Sequence, residues 1–122
     1  MTADADKPVR RVAIVGSRDY PDLDAVRAYI NTLPARTIVV SGGARGVDRT
    51  AANAALARGL KVEEYLAEWD KHGKAAGYLR NRTIVGVADR LVAFWDGASK
   101  GTAHSIQLAN EKGIPVDVRR AE

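Results

Sequence analysis

The chain contains no cysteine, which excludes disulfides and thiol catalysis. Its two histidines, His72 and His104, stand in no carboxylate constellation at a familiar metal spacing, so no metal and no required cofactor are expected. Met1 to Pro8 are polar and lack an apolar signal core, and no apolar run approaches the length that spans a bilayer. The expectation is a cytoplasmic protein with no membrane partner. Internal repeats and low-complexity tracts are missing too, as is any dense basic run. Lys71, Lys74, Arg80 and Arg82 form one local concentration and Arg119-Arg120 another. A formal charge of +4 is compatible with an anionic partner, but it is common at this size and decides little by itself.

What is present is a chain of 122 residues with 46% hydrophobic content, enough for one real core and too little for two. Residues 1–9 read as a flexible N-terminal tail and 10–122 as a single domain. Short β-branched runs announce strands at Arg11 to Val15, Thr37 to Ser41, Lys61 to Tyr65, Arg90 to Phe94 and Val116 to Val118. They read as near-continuous apolar strings, as a sheet covered on both faces requires. Helical patterns lie between them. Leu23, Val26, Ile30 and Leu33 share one face, with Asp22 as N-cap after Pro21. An alanine-rich helix from Val47 to Arg58 stops at Gly59; a third runs from about Lys74 to Ala88; a fourth from Thr102 to Lys112 stops at Gly113, with Pro115 beyond. Strict strand–helix alternation predicts an α/β, Rossmann-like, three-layer domain: a five-stranded parallel sheet of order 3-2-1-4-5 with helices on both faces.

In such a sheet ligands bind beyond the carboxyl ends of the strands, where the strand order reverses, here between the first and fourth strands. Three loops reach that edge. The most informative is Val39-Val40-Ser41-Gly42-Gly43-Ala44-Arg45-Gly46-Val47-Asp48, in which a buried strand breaks into a glycine-rich turn and re-enters a helix. Glycines there let backbone N–H groups approach an anion, the helix offers its positive end, and Arg45 can add a charge-assisted bond. The second loop, Trp95-Asp96-Gly97-Ala98-Ser99-Lys100-Gly101-Thr102, has related composition, and the third is Gly16-Ser17-Arg18-Asp19. The dinucleotide fingerprint G-x-G-x-x-G is missing after the first strand, which disfavours ordinary NAD chemistry.

Most candidates carry two readings. Asp48 is either a stabilising first-turn carboxylate or a ligand for ribose or a cation. Arg45 can pair with an acidic neighbour instead of a ligand, and Arg18 with Asp19 can form a structural loop pair. Trp69 and Trp95 fall in expected loops, where an aromatic face can stack on a nucleobase or merely cover the core or a dimer contact. Lys71 and Lys74 can line an anionic cleft or a plain polar face. Arg80 and Asn81 are harder to dismiss, because a helix beginning near Lys74 turns both toward the cleft.

Val12-Ala13-Ile14-Val15-Gly16-Ser17-Arg18, Val39 to Asp48, Ala76-Gly77-Tyr78-Leu79-Arg80-Asn81-Arg82, and Phe94-Trp95-Asp96-Gly97 with Ser99, Gly101 and Thr102 together resemble the SLOG superfamily, in particular its YspA-type, cpYpsA-related branch. The resemblance runs from about Val12 to Val118. It implies a site for a nucleotide or nucleotide-derived ligand, in a binding or sensing module. In that reading Ser41, Gly42, Gly43, Arg45, Gly46, Ser99, Gly101 and Thr102 take phosphate or ribose, Arg80 and Asn81 contact it, and Gly16, Ser17, Arg18 and Asp19 close the site. Asp48, Trp69, Trp95, Asp96 and Gly97 complete the expected set. The superfamily also holds the Lonely Guy phosphoribohydrolases, which use an arginine on the third helix and a glutamate after a P-G-G-x-G-T turn. Arg80 matches that arginine, but the acidic positions hold His104 and Ser105, so hydrolysis of a nucleoside 5'-monophosphate is the alternative and no catalytic residue is assigned. DprA, another member, resembles the chain in VSGGARGVD and RNRTIVGVAD, which implies single-stranded DNA binding as the second alternative. On an α-helix Arg80 and Arg82 point about 200° apart, so nucleic acid binding is expected to be weak. Lonely Guy relatives also imply a homodimer or a higher homo-oligomer.

Overall fold

The computed structural model describes residues 10–121; the tail expected over 1–9, and the final residue, lie outside them. Five strands, β1 (Arg10–Gly16), β2 (Thr37–Ser41), β3 (Lys61–Glu64), β4 (Arg90–Phe94) and β5 (Val116–Arg119), form one sheet of order β3-β2-β1-β4-β5. All neighbours are parallel, with Val12 opposite Val39 on one side of β1 and Ile14 opposite Val92 on the other. The expected topology and order are therefore those observed.

Alternation along β1 builds the two cores. Val12 and Ile14 face α1 (Leu23–Ile30) and α2 (Val47–Ala57) with Val26, Ile30, Ala51 and Phe94, while Ala13 and Val15 face the opposite helices with Ile84, Leu91 and Ala109. Small residues on α2 (Ala51, Ala52, Ala55) let it lie close to the sheet. The opposite layer holds α4 (Ala76–Val87) and α5 (Lys100–Lys112). The central strands are the apolar strings that the sequence predicts. The edge strands are not: Lys61-Val62-Glu63-Glu64 and Val116-Asp117-Val118-Arg119 contain no buried residue, because an edge has a neighbour on one side only.

Element ends follow local chemistry. Asp22 caps α1 by accepting from the Ala25 N–H at 3.1 Å, as expected. That helix stops at Ile30, short of Leu33, where the Thr32 hydroxyl takes the Tyr29 carbonyl at 2.6 Å and Pro34 disfavours helix at the residue before it. Ser99 caps α5 and starts it two residues before the expected Thr102. A one-turn helix, α3 (Trp69–His72), and a 3-10 turn (Gly73–Ala75) precede α4 where loop was expected.

Each helical layer is also tied by one basic side chain. Arg58, just past α2, donates through Nη1 to the carbonyls of Ile30 (2.7 Å) and Leu33 (2.8 Å) at the end of α1. Lys112, at the end of α5, donates from Nζ to Val85 (2.9 Å), Gly86 (2.8 Å) and Ala88 (3.0 Å) at the end of α4. An ammonium has three protons, and all three are used on carbonyls at the helix end, where intrahelical partners run out. Lys112→Met keeps the stem and removes these bonds; urea denaturation is expected to show a loss of about 1–3 kcal/mol, the range for hydrogen bonds to a charged group.

Candidate functional site

At the reversal point β1 and β4 diverge into loops that are bonded to each other. The Ser17 N–H donates to the Phe94 carbonyl (3.1 Å), and the buried Ser17 Oγ accepts from the Asp96 N–H (3.1 Å). The glycine-rich loop joins them through Gly46, whose φ is +81° and whose missing side chain makes room for the Arg18 backbone. A side chain there would meet both a strained backbone and a clash. Between these loops, the first half of α4 and the first turn of α5 lies a cleft of about 570 Å³.

One hydrogen-bonded chain crosses the cleft. Arg80 donates through Nη1 to the Gly42 carbonyl (2.8 Å) and through Nε to Asn81 Oδ1 (3.1 Å). Asn81 Nδ2 donates to the Gly101 carbonyl (3.2 Å) and lies 3.3 Å from His104 Nδ1. The bare Gly42 leaves room for this contact, since a Cβ would stand 2.5 Å from Arg80 Nη1 and displace the guanidinium. Burial lowers the His104 pKa, as does the nearby Arg82 charge.

Asp48 is 6% exposed and borders the cleft. Its Oδ2 accepts from the Ala44 N–H at 3.3 Å, and the Gly42 amide also bonds the carboxylate. Burial pushes its pKa up to about 6; these amides and the charges of Arg80 and Arg18 act the other way but do not overcome it. Asp96 is the opposite case. Its Oδ1 accepts from the Ala98 and Ser99 N–H groups, each at 2.8 Å, and those bonds hold its pKa below the usual value.

Twelve of the expected residues line the cleft: Gly16, Ser17, Arg18, Asp19, Asp48, Trp69, Arg80, Asn81, Asp96, Ser99, Gly101 and Thr102. Ser41, Gly42, Gly43, Arg45, Gly46, Trp95 and Gly97 are not part of the lining. The reason is local. The amides expected to cradle an external anion are turned onto an internal one: Gly42 and Ala44 onto Asp48, and Gly43 onto Ser41 Oγ (3.2 Å). Arg45 takes its acidic neighbour, lying 3.7 Å from Asp19, with both side chains largely in water (73% and 87% exposed). Trp95 gives its indole N–H to the Ser99 carbonyl (3.0 Å), and the Arg120 guanidinium lies over its ring at 5.6 Å; Gly97 packs against the same guanidinium. Lys74, Tyr78 and Ser105 border the cleft although they were not in the expected set. Tyr78 stands three residues before Asn81 on α4, so the helical repeat carried the signal for it. Among the described residues no group of three or more histidines or carboxylates is placed to hold a metal, and no helix is long and apolar enough to cross a membrane.

Comparison with known proteins bears on the family and the fold. The profile of the YspA, cpYpsA-related SLOG family matches residues 10–72. Gene 61 protein of Mycobacterium phage D29 is 42% identical over 118 residues, covering 88% of this chain and 94% of that protein. The fold is similar to that of DNA processing protein A (DprA) from Streptococcus pneumoniae, with a TM-score of 0.79 and 25% identity over 89% of this chain, which spans 50% of that one. It is also similar to Helicobacter pylori DNA processing protein A, a protein with a described single-stranded DNA binding mode (TM-score 0.67, 23% identity, 97% of this chain and 68% of that one).

The buried Asp48 has a measurable consequence. Its folded-state pKa, raised to about 6 from 3.8, lies above the unfolded value, so its contribution to stability is fully present below pH 4 and is lost as pH rises through 6. Asp48→Asn keeps the shape and removes the charge. The variant is expected to be more stable than the parent at pH 7.5 by about 2–3 kcal/mol, with the difference vanishing near pH 4. Paired thermal melts of the two proteins across that range check it.

Proposed function

The chain belongs to the YspA, cpYpsA-related SLOG family, and from that membership we propose that it binds a nucleotide or nucleotide-derived ligand in the cleft at the carboxyl edge of the sheet. The observation that carries the reading is the cleft itself. Its size, about 570 Å³, suits a small ligand, and it sits where the strand order reverses. Ser17, Ser99 and Thr102 line it beside the start of α5, and Arg18, Lys74 and Arg80 supply positive charge. We assign phosphate to the N-terminus of α5, where the helix dipole favours an anion and the cap Ser99 takes the Thr102 N–H but leaves the first-turn amides before it to a ligand. Asp48 also borders the cleft, and its carboxylate, although it already accepts from loop amides, is the proposed acceptor for a ribose hydroxyl. In this reading the glycine-rich loop supports the ligand indirectly, by holding Asp48 and Arg80.

Binding rather than rapid hydrolysis is the favoured activity. His104 and Ser105 stand at the positions that would carry the carboxylate; the first contacts Asn81, and the second donates to the Gly101 carbonyl at 3.3 Å. Of the three cleft carboxylates, Asp96 is occupied as a turn cap, Asp48 by loop amides, and Asp19 lies beside the Arg45 guanidinium at 3.7 Å.

Single-stranded DNA is the second reading, favoured by the shared fold with DNA processing protein A. Arg80 borders both the cleft and a second depression that it shares with Arg82, contrary to the expectation that the two face apart; against strong binding, Glu64 and Glu68 line that depression too and oppose the phosphate charge. Few phosphates can then be neutralised together, and the salt dependence of affinity tracks that number.

Two measurements test these readings. In a thermal-shift screen of mono-, di- and cyclic nucleotides, a ligand at a hundred times its Kd should add about 2.7 kcal/mol of stability, and Arg18→Ala should weaken it about tenfold. A flat screen at millimolar concentration overturns the nucleotide reading. Fluorescence anisotropy with a labelled oligonucleotide should show weak binding that is lost by physiological salt; submicromolar affinity surviving there makes DNA the better ligand.

A further inference from the structure

Two aromatic rings stand at the cleft with no place in either core. Trp69 is 51% exposed and Tyr78 is 49% exposed; neither belongs to a hydrophobic cluster, yet both line the cleft. Leaving a large ring half in water forfeits burial worth about 1 kcal/mol or more, so packing does not account for the position of either.

Both rings are nevertheless held. Trp69 opens α3 and leans over Gly77 on α4, where a Cβ would lie 3.4 Å from its ring carbon Cη2. The bare backbone there seats the indole. Tyr78 meets the His104 ring edge-on, with centroids 4.8 Å apart and planes at 87°, and His104 is itself 3.3 Å from the Asn81 amide. Pre-placed rings lose little freedom when a flat ligand lies against them. The other tryptophan, Trp95, is already engaged by Ser99 and Arg120. Ser17, Ser99 and Thr102 line the same cleft, and His104, against which Tyr78 sits, lies two residues beyond Thr102 on α5. Tyr78 thus adjoins the polar start of α5.

We propose that Trp69 and Tyr78 form a base-binding wall, against which the nucleobase of the ligand stacks while its sugar phosphate reaches the start of α5. The inference rests on the nucleotide reading of the cleft and adds that the base, not only the phosphate, carries affinity.

Trp95→Phe leaves Trp69 as the sole tryptophan, so its emission reports the wall directly. This protein is titrated with AMP, GMP, CMP, UMP and ribose 5-phosphate, and affinities are measured in parallel by thermal shift. The expected result is saturable quenching by at least one nucleotide and none by ribose 5-phosphate. Trp69→Ala and Tyr78→Ala should each weaken that nucleotide about tenfold and leave ribose 5-phosphate unchanged, and Trp69→Phe should restore most of the loss. If a nucleotide stabilises the protein without quenching, or if Trp69→Ala weakens nucleotide and ribose 5-phosphate alike, the wall is overturned while the nucleotide reading stands. If none of the five probes binds, the wall falls, and the nucleotide reading falls with it when the screen of di- and cyclic nucleotides is flat as well. Trp69 and Tyr78 are half-exposed, and circular dichroism melts confirm folding of every variant, Trp95→Phe included, before titration.

Discussion

The hydrogen-bonded chain from Gly42 through Arg80 and Asn81 to Gly101 is the interaction on which the site depends. The glycine-rich loop ends β2 in one half of the sheet, and α5 follows β4 in the other. The halves meet along β1 and β4, whose loops separate at the point where the cleft opens. A cleft between diverging loops has no strand ladder to fix its width. Arg80 and Asn81, adjacent on α4, provide that fixed span with one planar fork and one amide. The arginine is suited to it because two nitrogens of a rigid group can hold two acceptors at once.

This arrangement changes what the glycine-rich loop is for. An anion does sit against its amides, but it is the carboxylate of Asp48 from the same chain. Burying that charge is unfavourable, and the raised pKa is the measure of it. A group retained at a stability cost beside a cleft fits a role in ligand contact better than one in folding. Asp96 shows the contrast within the same site: in water and bonded to two amides, it stabilises its loop and has a depressed pKa.

The fold was legible because its signals are local and repeated. Apolar strings marked the central strands, Asp22 and Gly113 marked helix ends, and alternation fixed the parallel order. The short helix α3 was not legible, since four residues with none buried leave no periodic pattern to read. The edge strands were read as too apolar, although their charges have a reason: Lys61, Glu63, Asp117 and Arg119 discourage another strand from pairing there, and Glu63 is held by Arg11 from across β2 (2.9 Å). In the site, the loops were found and their division of labour was not. Which amides face outward depends on where the Asp48 carboxylate and Arg80, distant in sequence from Gly42, come to rest. The glycines alone contain no information on that point.

The charges around the cleft also fix how a ligand and a proton influence each other. Arg18 and Arg80 hold the Asp48 pKa below the value that burial alone would give it. A phosphate attracted by those cations weakens their hold, which favours the protonated carboxyl; a ribose hydroxyl donating to Asp48 favours the charged form. Near neutral pH the first effect takes up a proton on binding and the second does not. The direction of proton exchange therefore reports which part of a ligand lies beside Asp48. A phosphate placed at the start of α5 with its ribose toward Asp48 keeps the acid ionised. The reverse orientation sets two negative charges against each other beside a buried wall, and only protonation relieves it. Under the nucleotide reading proposed above, the buried carboxylate of Asp48 and the cations beside it favour one orientation of the ligand by electrostatics before any contact with its base is counted.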